Sequence, residues 1–265
     1  TRYSFEHAFC SSPEELHRAI LETTPAVIIY NYYALTMPWL TSKITRRYPM
    51  PCLGFMHEVT QKEADNATTE MFDYHLCPDP TVISRNPCII PTKRLIPHFL
   101  SMQPEPIIPT FGSFGFGFGD KGFHELVVRI QEEYDQAIIR LHMPFNDIVD
   151  PEGKDHAFST ADHCRVAIEK TGIQLHITHH FMGNKQLLEF LASNTINCFF
   201  YDTAKKRGIS SVIEHALAVE RPIAITRCGM FRHVLNASPS ICIEDNSLQQ
   251  IIANGIDTVV PFYNE

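Results

Sequence analysis

The sequence has no long hydrophobic run and no excess of positive charge. Its apolar stretches, such as Ala26–Tyr30, reach only five or six residues, whereas a transmembrane helix needs about 18 or more. Its 22 Lys and Arg residues are outnumbered by 30 Asp and Glu residues, which gives a net charge of −8. We therefore expect no transmembrane segment and no general role in binding nucleic acid or an anionic membrane surface.

The chain also has no C-x-x-C pair and no signal-peptide pattern at its start. Several of its eight cysteines, including Cys52, Cys77, Cys198 and Cys242, stand in or beside apolar runs. This placement predicts buried free thiols in a reducing, cytoplasmic compartment. The first residue is Thr1 rather than Met, as is expected of a piece excised from a longer protein.

The composition is that of a globular protein. It is 44% hydrophobic and 20% charged, which excludes a disordered chain and a fibrous repeat. A length of 265 residues is enough for one large domain or two small ones, each with a sizeable core.

Short apolar runs alternate with amphipathic, helix-like stretches along the whole chain. Runs such as Ile196–Tyr201 and Pro222–Thr226 are apolar at most positions, which is typical of strands that are covered on both faces. Strands that alternate with such helices indicate βαβ units and a parallel sheet. Further strands are predicted at Ile107–Phe111 and Ser240–Ile243.

These patterns predict an α/β protein with two Rossmann-like lobes. The proline-rich section 91–109 has little periodicity, so we interpret it as the hinge between them. Residues 1–106 then form the N-terminal lobe, which is short or truncated, and residues 107–265 form the C-terminal lobe. Ligands of such sheets bind beyond the carboxyl ends of the strands, so function is expected in the strand-to-helix loops.

A glycine-rich loop, residues 112–122, joins a predicted strand to a predicted helix. Its glycines alternate with phenylalanines, and it ends in Lys121 and Gly122. Glycine lets backbone N–H groups approach an anion, the helix N-terminus adds partial positive charge, and Lys121 supplies a cation. The loop therefore predicts contact with a phosphate, and the alternative is a flexible turn whose Phe side chains pack. It matches neither the Walker loop nor the G-x-G-x-x-G pattern.

A second candidate loop begins the helix that contains Glu214. Gly208, Ser210 and Ser211 offer backbone amides and hydroxyl groups to a ligand above the sheet. Glu214 stands in the first turns of the helix, where its charge suits the helix dipole. It either accepts hydrogen bonds from a ribose or is a solvated residue of a capped helix.

Together these segments resemble the donor-binding half of GT-B glycosyltransferases of the retaining, family-4 kind. Residues 112–122 are similar to the family's first strand, loop and Lys-Gly helix start. Residues 212–226 are similar to its Glu-Ala-x-Ala-x-Gly-x-Pro-Val segment. In the N-terminal part, Ala26–Asn31 resembles an acceptor-domain strand, and Cys52–Glu58 resembles a strand that ends in a His-acidic pair. The resemblance covers most of the chain and is concentrated in its second half.

The resemblance implies a site for a UDP- or GDP-linked sugar donor, without a metal or another cofactor. Lys121 would bind the donor diphosphate, and Glu214 would bind the ribose. His57 would face the sugar or the acceptor across the cleft between the lobes, which makes His57 and Glu214 the candidate catalytic residues. The remaining donor-binding candidates are Gly112, Ser113, Gly115, Arg207, Gly208, Ser210, Ser211 and Val212.

The sequence departs from the family pattern at two positions and in its N-terminal lobe. The family has a second glutamate eight residues before the one that matches Glu214, and Lys206 stands there instead. The arginine that usually follows the glycine of the first strand is replaced by Ser113, and we interpret Arg207 as the compensating charge. The N-terminal lobe also lacks an initial strand with a glycine-rich turn.

Fourteen histidines raise the alternative of a metal site. Neutral imidazoles at the end of a strand can bind zinc. The candidate ligands are His142, Asp147, His163, Cys164, His176, His179 and His180. No H-E-x-x-H or paired-Cys motif is present, so we expect these histidines to belong to loops and sheet ends and expect no metal.

The resemblance implies a cytoplasmic glycosyltransferase that moves a sugar from a nucleotide diphosphate to a glycan or lipid-linked acceptor. Polysaccharide or glycan biosynthesis is the expected context. The first alternative is a non-catalytic module that binds a nucleotide sugar or a carbohydrate within a larger protein, which Lys206 and the missing strand favour. The second is a metal-dependent hydrolase that uses the histidines.

Overall fold

The chain forms two compact units, each built on its own parallel sheet. The computed structural model describes residues 7–100, 103–145, 155–202 and 207–263. The units are Thr1–Lys93 and Arg94–Glu265. Lys206 and Asp147, which the sequence analysis singled out, lie outside the described residues.

The first unit contains a four-stranded parallel sheet in the order β1-β2-β3-β4. Its strands are β1 (Ile28–Tyr30), β2 (Cys52–Phe55), β3 (Tyr74–Cys77) and β4 (Ile89–Pro91). Its helices are α1 (Pro13–Thr23), α2 (Ser42–Thr45) and α3 (Gln61–Asp65).

Side-chain caps start two of these helices. Ser12 accepts a hydrogen bond from the Glu15 amide at the start of α1, which also has Pro13 at its first position. Thr60 and Glu63 form a reciprocal capping box at the start of α3. The sheet and α1 bury a core around Leu16, Ile20, Tyr30, Leu40, Cys52 and Phe72.

The second unit contains a five-stranded parallel sheet in the order β7-β6-β5-β8-β9. Its strands are β5 (Thr110–Phe114), β6 (Ala137–His142), β7 (Ile173–Thr178), β8 (Ile196–Phe199) and β9 (Ile223–Ile225). Its helices are α4 (Phe123–Glu133), α5 (Asp155–Val166), α6 (Asn184–Ala192), α7 (Val212–Leu217) and α8 (Leu248–Asn254). The prediction of an α/β protein with parallel, Rossmann-like sheets is confirmed.

Two strands of the second unit are buried along their whole length. Every residue of β8 and of β9 is buried, as expected for strands that are covered on both faces. One large core cluster includes Phe111, Ile130 and Leu141, and a second includes Ile213 and Phe231. Each such side chain contributes about 1.5–3 kcal/mol when it is fully buried, so these clusters are the main source of stability.

Two predicted strands differ from the structure. The strand expected at Ile107–Phe111 begins only at Thr110, because Pro109 has no N–H to donate and the Ile107 side chain is exposed. Residues 112 and 113 consequently lie in a strand rather than in the loop. The segment expected as a strand at 240–243 forms only an isolated parallel bridge between Ile225 and Cys242.

The two units divide after Lys93, earlier than the boundary expected after residue 106. The residues in between belong to the second unit because they pack on it: Ile96 and Phe99 contact its hydrophobic clusters. Arg221 donates a hydrogen bond to the carbonyl of Gln103 at 2.5 Å. The described residues between 92 and 109 belong to no helix or strand.

The cysteines carry no disulfide. All eight are free, and all except the partly exposed Cys10 are buried. The prediction of buried free thiols is therefore confirmed. Burial raises the pKa of Cys164 to about 12, so this thiol stays protonated at neutral pH.

We expect Gly112→Ala to lower the free energy of unfolding by about 1–3 kcal/mol, the usual cost of overpacking a core. A Cβ at residue 112 would overlap the buried amide of Asn194. Urea denaturation measures the loss, and Gly119→Ala is the matched control because no atom lies within 4 Å of the Cβ that it would add. Equal losses in the two variants would contradict this packing role.

Candidate functional site

The candidate site lies where the order of the strands reverses in the second sheet. From β5 the chain proceeds to β6 and β7 on one side, and it then crosses to β8 and β9 on the other. The carboxyl ends of β5 and β8 therefore flank the switch point of the sheet. Open α/β sheets bind ligands at this position, which directs attention to the two loops that follow β5 and β8.

The loop after β5 is attached to the segment that follows β8. It ends in a short 3-10 turn, Gly119–Lys121, and Gly122 follows with a φ of 63°. A Cβ at residue 122 would overlap the carbonyl oxygen of Phe200, so both the backbone angle and the packing require glycine there. The Asp202 amide donates to the Asp120 carbonyl at 2.9 Å. These contacts fix the start of α4 against the end of β8.

Lys121 lies directly over an aromatic ring. Its Nζ atom is 3.9 Å from the centroid of the Tyr201 ring, which is close enough for a cation–π contact. Tyr201 is only 3% exposed, and burial raises the pKa of its hydroxyl, so the ring stays a neutral phenol. The ammonium group of Lys121 is therefore positioned by a rigid, buried side chain at the switch point.

The residues predicted at the start of this loop have different surroundings. Gly112 and Ser113 are buried inside β5, and Gly112 pairs with Arg140 on one side and Asn197 on the other. Gly115 follows the strand, and its amide donates to the carbonyl of His142 at 3.0 Å. Packing alone accounts for glycine at residue 112, so its contact with a donor stays a prediction.

The second predicted loop leads into α7. Gly208 and Val212 are buried, whereas Arg207 and Ser211 are exposed. The Ser210 amide donates to the carbonyl of Met230 at 2.9 Å, so this N–H is already used within the fold. No side-chain hydrogen bond caps α7 at Ser211.

Glu214 is buried and forms an ion pair with Arg94. Its carboxylate accepts a forked pair of hydrogen bonds from Arg94, in which Nε binds Oε1 and Nη2 binds Oε2 at 2.8 Å. The side chain of His233 is largely covered, and its Nε2 atom lies 3.5 Å from Oε1 of Glu214. Among the described residues, the ring nitrogens of His233 have no partner in hydrogen-bond geometry, so this contact is looser than the arginine fork.

The surroundings of Glu214 keep it ionised. Burial by itself raises the pKa of the carboxyl group, but His233 and Arg94 together outweigh burial and hold the pKa below its ordinary value. Glu214 is therefore a buried anion whose charge is balanced by Arg94. This arrangement contradicts the alternative of a solvated helix residue, and the contact of Glu214 with a ribose stays a prediction.

Sequence reasoning missed three residues of this region: Arg94, Tyr201 and His233. Arg94 stands in the proline-rich segment, where no motif marks it. Tyr201 ends an apolar run and looks like an ordinary core residue. Tyr201 is 80 residues from Lys121 in sequence, and Arg94 is 120 residues from Glu214, so only folding brings the members of each pair together.

His57 lies in the first unit, directly after β2. Its Nε2 atom is hydrogen bonded to Oδ1 of Asn31, which follows β1, and both residues are exposed. The two side chains therefore share the carboxyl edge of the first sheet. The role of His57 toward a sugar or an acceptor stays a prediction.

Three of the candidate metal ligands cluster at the carboxyl ends of β6 and β7. His142 is buried, its Nδ1 atom is 2.9 Å from the Thr178 hydroxyl, and its ring centroid is 5.8 Å from that of His180. Burial, reinforced by the neighbouring histidines, lowers the pKa of His142 to about 4. His179 stacks on Phe145 with ring centroids 5.4 Å apart. Within the described ranges, no three His, Cys, Asp or Glu residues are arranged to hold a metal ion.

In the described part of the chain, no helix combines the length and the apolar character that crossing a membrane requires.

Solved structures of low sequence identity share the fold over most of the chain. The trehalose-6-phosphate synthase OtsA is 11% identical with a TM-score of 0.62, over 95% of this chain and 71% of the OtsA chain. HepE from Anabaena, solved in complex with UDP-glucose, is 12% identical with a TM-score of 0.55, over 94% of this chain and 80% of the HepE chain. A glycosyltransferase from Rickettsia africae ESF-5 is 11% identical with a TM-score of 0.55, over 84% and 63% of the two chains.

No protein-family model and no curated protein matches the sequence. Because these solved structures are only 10–12% identical in sequence, the likeness to them establishes the fold, which is the two-lobed, Rossmann-like GT-B fold of these glycosyltransferases. The resemblance to GT-B glycosyltransferases is confirmed at this level, and the family-4 assignment stays a prediction.

We expect wild-type protein to lose stability more steeply in acid than Glu214→Gln does. The pKa of Glu214 is lower in the folded chain than its ordinary value of 4.5, so its ionised form stabilises the fold above that pH. This contribution declines as the pH falls below about 4.5 and is lost once the pH is below the lowered pKa of the folded chain. Urea denaturation at a series of pH values measures the difference.

The control for this experiment is Glu105→Gln, which removes an exposed carboxyl group from the same unit. If Glu214→Gln and wild type lose stability in parallel from pH 7 to pH 3, Glu214 contributes nothing through its charge.

Proposed function

We propose that this protein is a glycosyltransferase that moves a sugar from a UDP- or GDP-linked donor to a glycan or lipid-linked acceptor. The observation that supports this most directly is the position of Lys121. Its ammonium group is held over Tyr201 at the switch point of the sheet, within a fold that glycosyltransferases share over most of the chain. A fixed cation at this position suits the diphosphate of a nucleotide sugar.

Several features of the loop after β5 favour an anion. The 11-residue helix α4 begins directly after Lys121 and Gly122, and the first N–H groups of a helix have no partners within it. These N–H groups and the lysine therefore present positive charge at the same end of the sheet. HepE, which has the same fold, was solved with UDP-glucose bound, and this supports a nucleotide sugar as the ligand.

The chemistry follows from where charge develops. As the bond between C1 of the sugar and the diphosphate oxygen breaks, negative charge grows on the diphosphate and positive charge grows on C1. Lys121 and the start of α4 stabilise the leaving diphosphate, and they are already oriented before the reaction, so they lower the barrier without reorganising. The oxygen of the acceptor hydroxyl then bonds to C1, and its proton passes to the departing diphosphate, which has gained the electron pair of the broken bond. Retention at C1 follows only from the family resemblance.

The other predicted residues complete the proposed site. The residues assigned to the donor side are Gly112, Ser113, Gly115, Arg207, Gly208, Ser210, Ser211 and Val212. Glu214 is assigned to the ribose, and His57 to the sugar or the acceptor. Synthesis of a polysaccharide or another glycan is the proposed context.

A second candidate function is a non-catalytic module that binds a nucleotide sugar or a carbohydrate. The specific observation in its favour is that Glu214, one of the two proposed catalytic residues, is buried and paired with Arg94. Such a module needs the donor site but no turnover. Release of free UDP or GDP from a nucleotide sugar separates the two functions, because only the enzyme produces it.

We expect UDP or GDP to raise the melting temperature, because a ligand that binds only the folded state stabilises it. Lys121→Ala should weaken nucleotide binding by about 1.5–3 kcal/mol, the usual contribution of a hydrogen bond to a charged group. Calorimetric titration measures the change. The matched control is Lys185→Ala, which removes an exposed lysine of the same unit that pairs only loosely with Glu189 at 3.8 Å. If no nucleoside diphosphate shifts the melting curve at millimolar concentration, the donor site is wrongly assigned.

We expect a panel of UDP- and GDP-sugars to include one donor from which wild type releases the nucleoside diphosphate. Lys121→Ala should slow this release more than it weakens binding of the intact nucleotide sugar, because the diphosphate carries more negative charge in the transition state than in the bound donor. Coupled detection of UDP or GDP measures the rate. Tight binding of a nucleotide sugar without any release, with and without glycan acceptors, would favour the non-catalytic module.

A further inference from the structure

The Arg94–Glu214 pair uses the same carboxylate that the proposed function assigns to a ribose. The arginine fork takes both carboxylate oxygens, and the side chain of Glu214 is only 6% exposed. His233, itself 7% exposed, lies on the same carboxylate. Because this carboxylate is almost fully covered, two neighbouring hydroxyl groups of a ribose could reach its oxygens only by displacing a group that now covers them, and Arg94 is the group that contacts both oxygens.

Arg94 lies in the irregular segment between β4 and β5, and other residues of this segment contact the second unit. Ile96 and Phe99 pack on hydrophobic clusters of the unit, and Arg221 donates to the carbonyl of Gln103. The described residues of the segment form no helix or strand, so no ladder of backbone hydrogen bonds fixes the position of Arg94. The Arg94 side chain can therefore leave Glu214 while the rest of the segment stays in place.

Glu214 is expected to exchange one hydrogen-bonding partner for another rather than to lose its partner. A buried carboxylate without hydrogen bonds or a counter-charge is strongly unfavourable, so Glu214 must keep a partner at all times. Arg94 is the partner in the structure, and its side chain is 17% exposed, which gives it access to solvent. The two neighbouring hydroxyl groups of a ribose would be donors suited to replace the fork.

We propose that Arg94 competes with the ribose of the nucleotide for Glu214 and so sets the affinity of the donor site. The inference rests on the proposed function, because it requires that a nucleotide bind there through its ribose. The free energy of nucleotide binding then includes the cost of breaking the Arg94–Glu214 pair. The measured affinity is therefore lower than that of a site in which Arg94 does not contact Glu214.

Removing the competitor should tighten nucleotide binding. Arg94→Gln removes the forked pair of hydrogen bonds to Glu214. We therefore expect the affinity for UDP or GDP, whichever binds wild type, to rise by about tenfold, because a larger fraction of the molecules is competent to bind. Calorimetric titration of the whole chain measures this change. The gain should disappear with the 2′,3′-dideoxy form of the same nucleotide, which retains the base and the diphosphate but has no ribose hydroxyls.

Three further variants distinguish competition by Arg94 from a general loosening of the segment that contains it. Arg221→Gln removes an arginine that holds the same segment through Gln103 but does not contact Glu214, so it should leave the affinity unchanged. Arg94→Gln combined with Glu214→Gln removes the competitor and the carboxylate together, so the gain should be lost. Arg94→Lys keeps a positive charge but cannot form the fork, and a smaller gain is expected from it.

Each outcome decides the proposal. Equal or weaker binding of the nucleotide by Arg94→Gln, or an equal gain with the dideoxy form, would overturn it and leave Arg94–Glu214 as a structural pair. If Arg94→Gln is too unstable to fold, Arg94→Lys provides the same comparison, and an unchanged affinity in that variant overturns the proposal. If nucleotide binds neither wild type nor any variant, the proposed function fails, and this inference fails with it.

Discussion

The pairing of β5 with β8 is the contact on which the candidate site depends. It places Phe111 opposite Ile196 and Gly112 opposite Asn197, and so brings the loops that follow the two strands to one edge of the sheet. Glycine at residue 112 makes room for a buried amide network in which Asn194 donates to Asn197 at 2.9 Å. Arg140 on β6 donates to the Asn194 amide oxygen at 2.9 Å and ties the third strand to the same network. A misplaced β8 would leave Lys121 without Tyr201, because that contact joins the two loops directly.

The glycines of this region serve packing and backbone geometry before they serve a ligand. Gly112 accommodates Asn194, and Gly122 accommodates the carbonyl of Phe200 while it adopts a positive φ. Both requirements come from the fold itself, so a glycine-rich loop of this kind is weak support for phosphate binding when it is considered alone. The support becomes stronger because the loop lies at the switch point of the sheet and carries there a lysine whose ammonium group stands over Tyr201.

The sequence predicted the architecture better than the site. Apolar runs alternating with amphipathic stretches were enough to predict the parallel α/β sheets, because burial on both faces leaves a local pattern in strands such as β8 and β9. Boundaries that depend on one missing hydrogen bond, such as the start of β5 after Pro109, were misplaced by a few residues. The partners of Lys121 and Glu214 left no local pattern at all. Tyr201 and Arg94 reach them only through the crossing of the chain and the packing of an irregular segment.

The charge balance at Glu214 follows from where α7 lies. A carboxylate on a helix whose first three residues, Val212, Ile213 and Glu214, are all buried has almost no access to water, so it needs a cation from the protein or a donor from a ligand. Arg94 supplies that cation in this chain and balances the buried anion directly. The pair therefore satisfies the buried carboxylate within the protein, and a ribose that binds Glu214 as proposed would have a defined partner to displace.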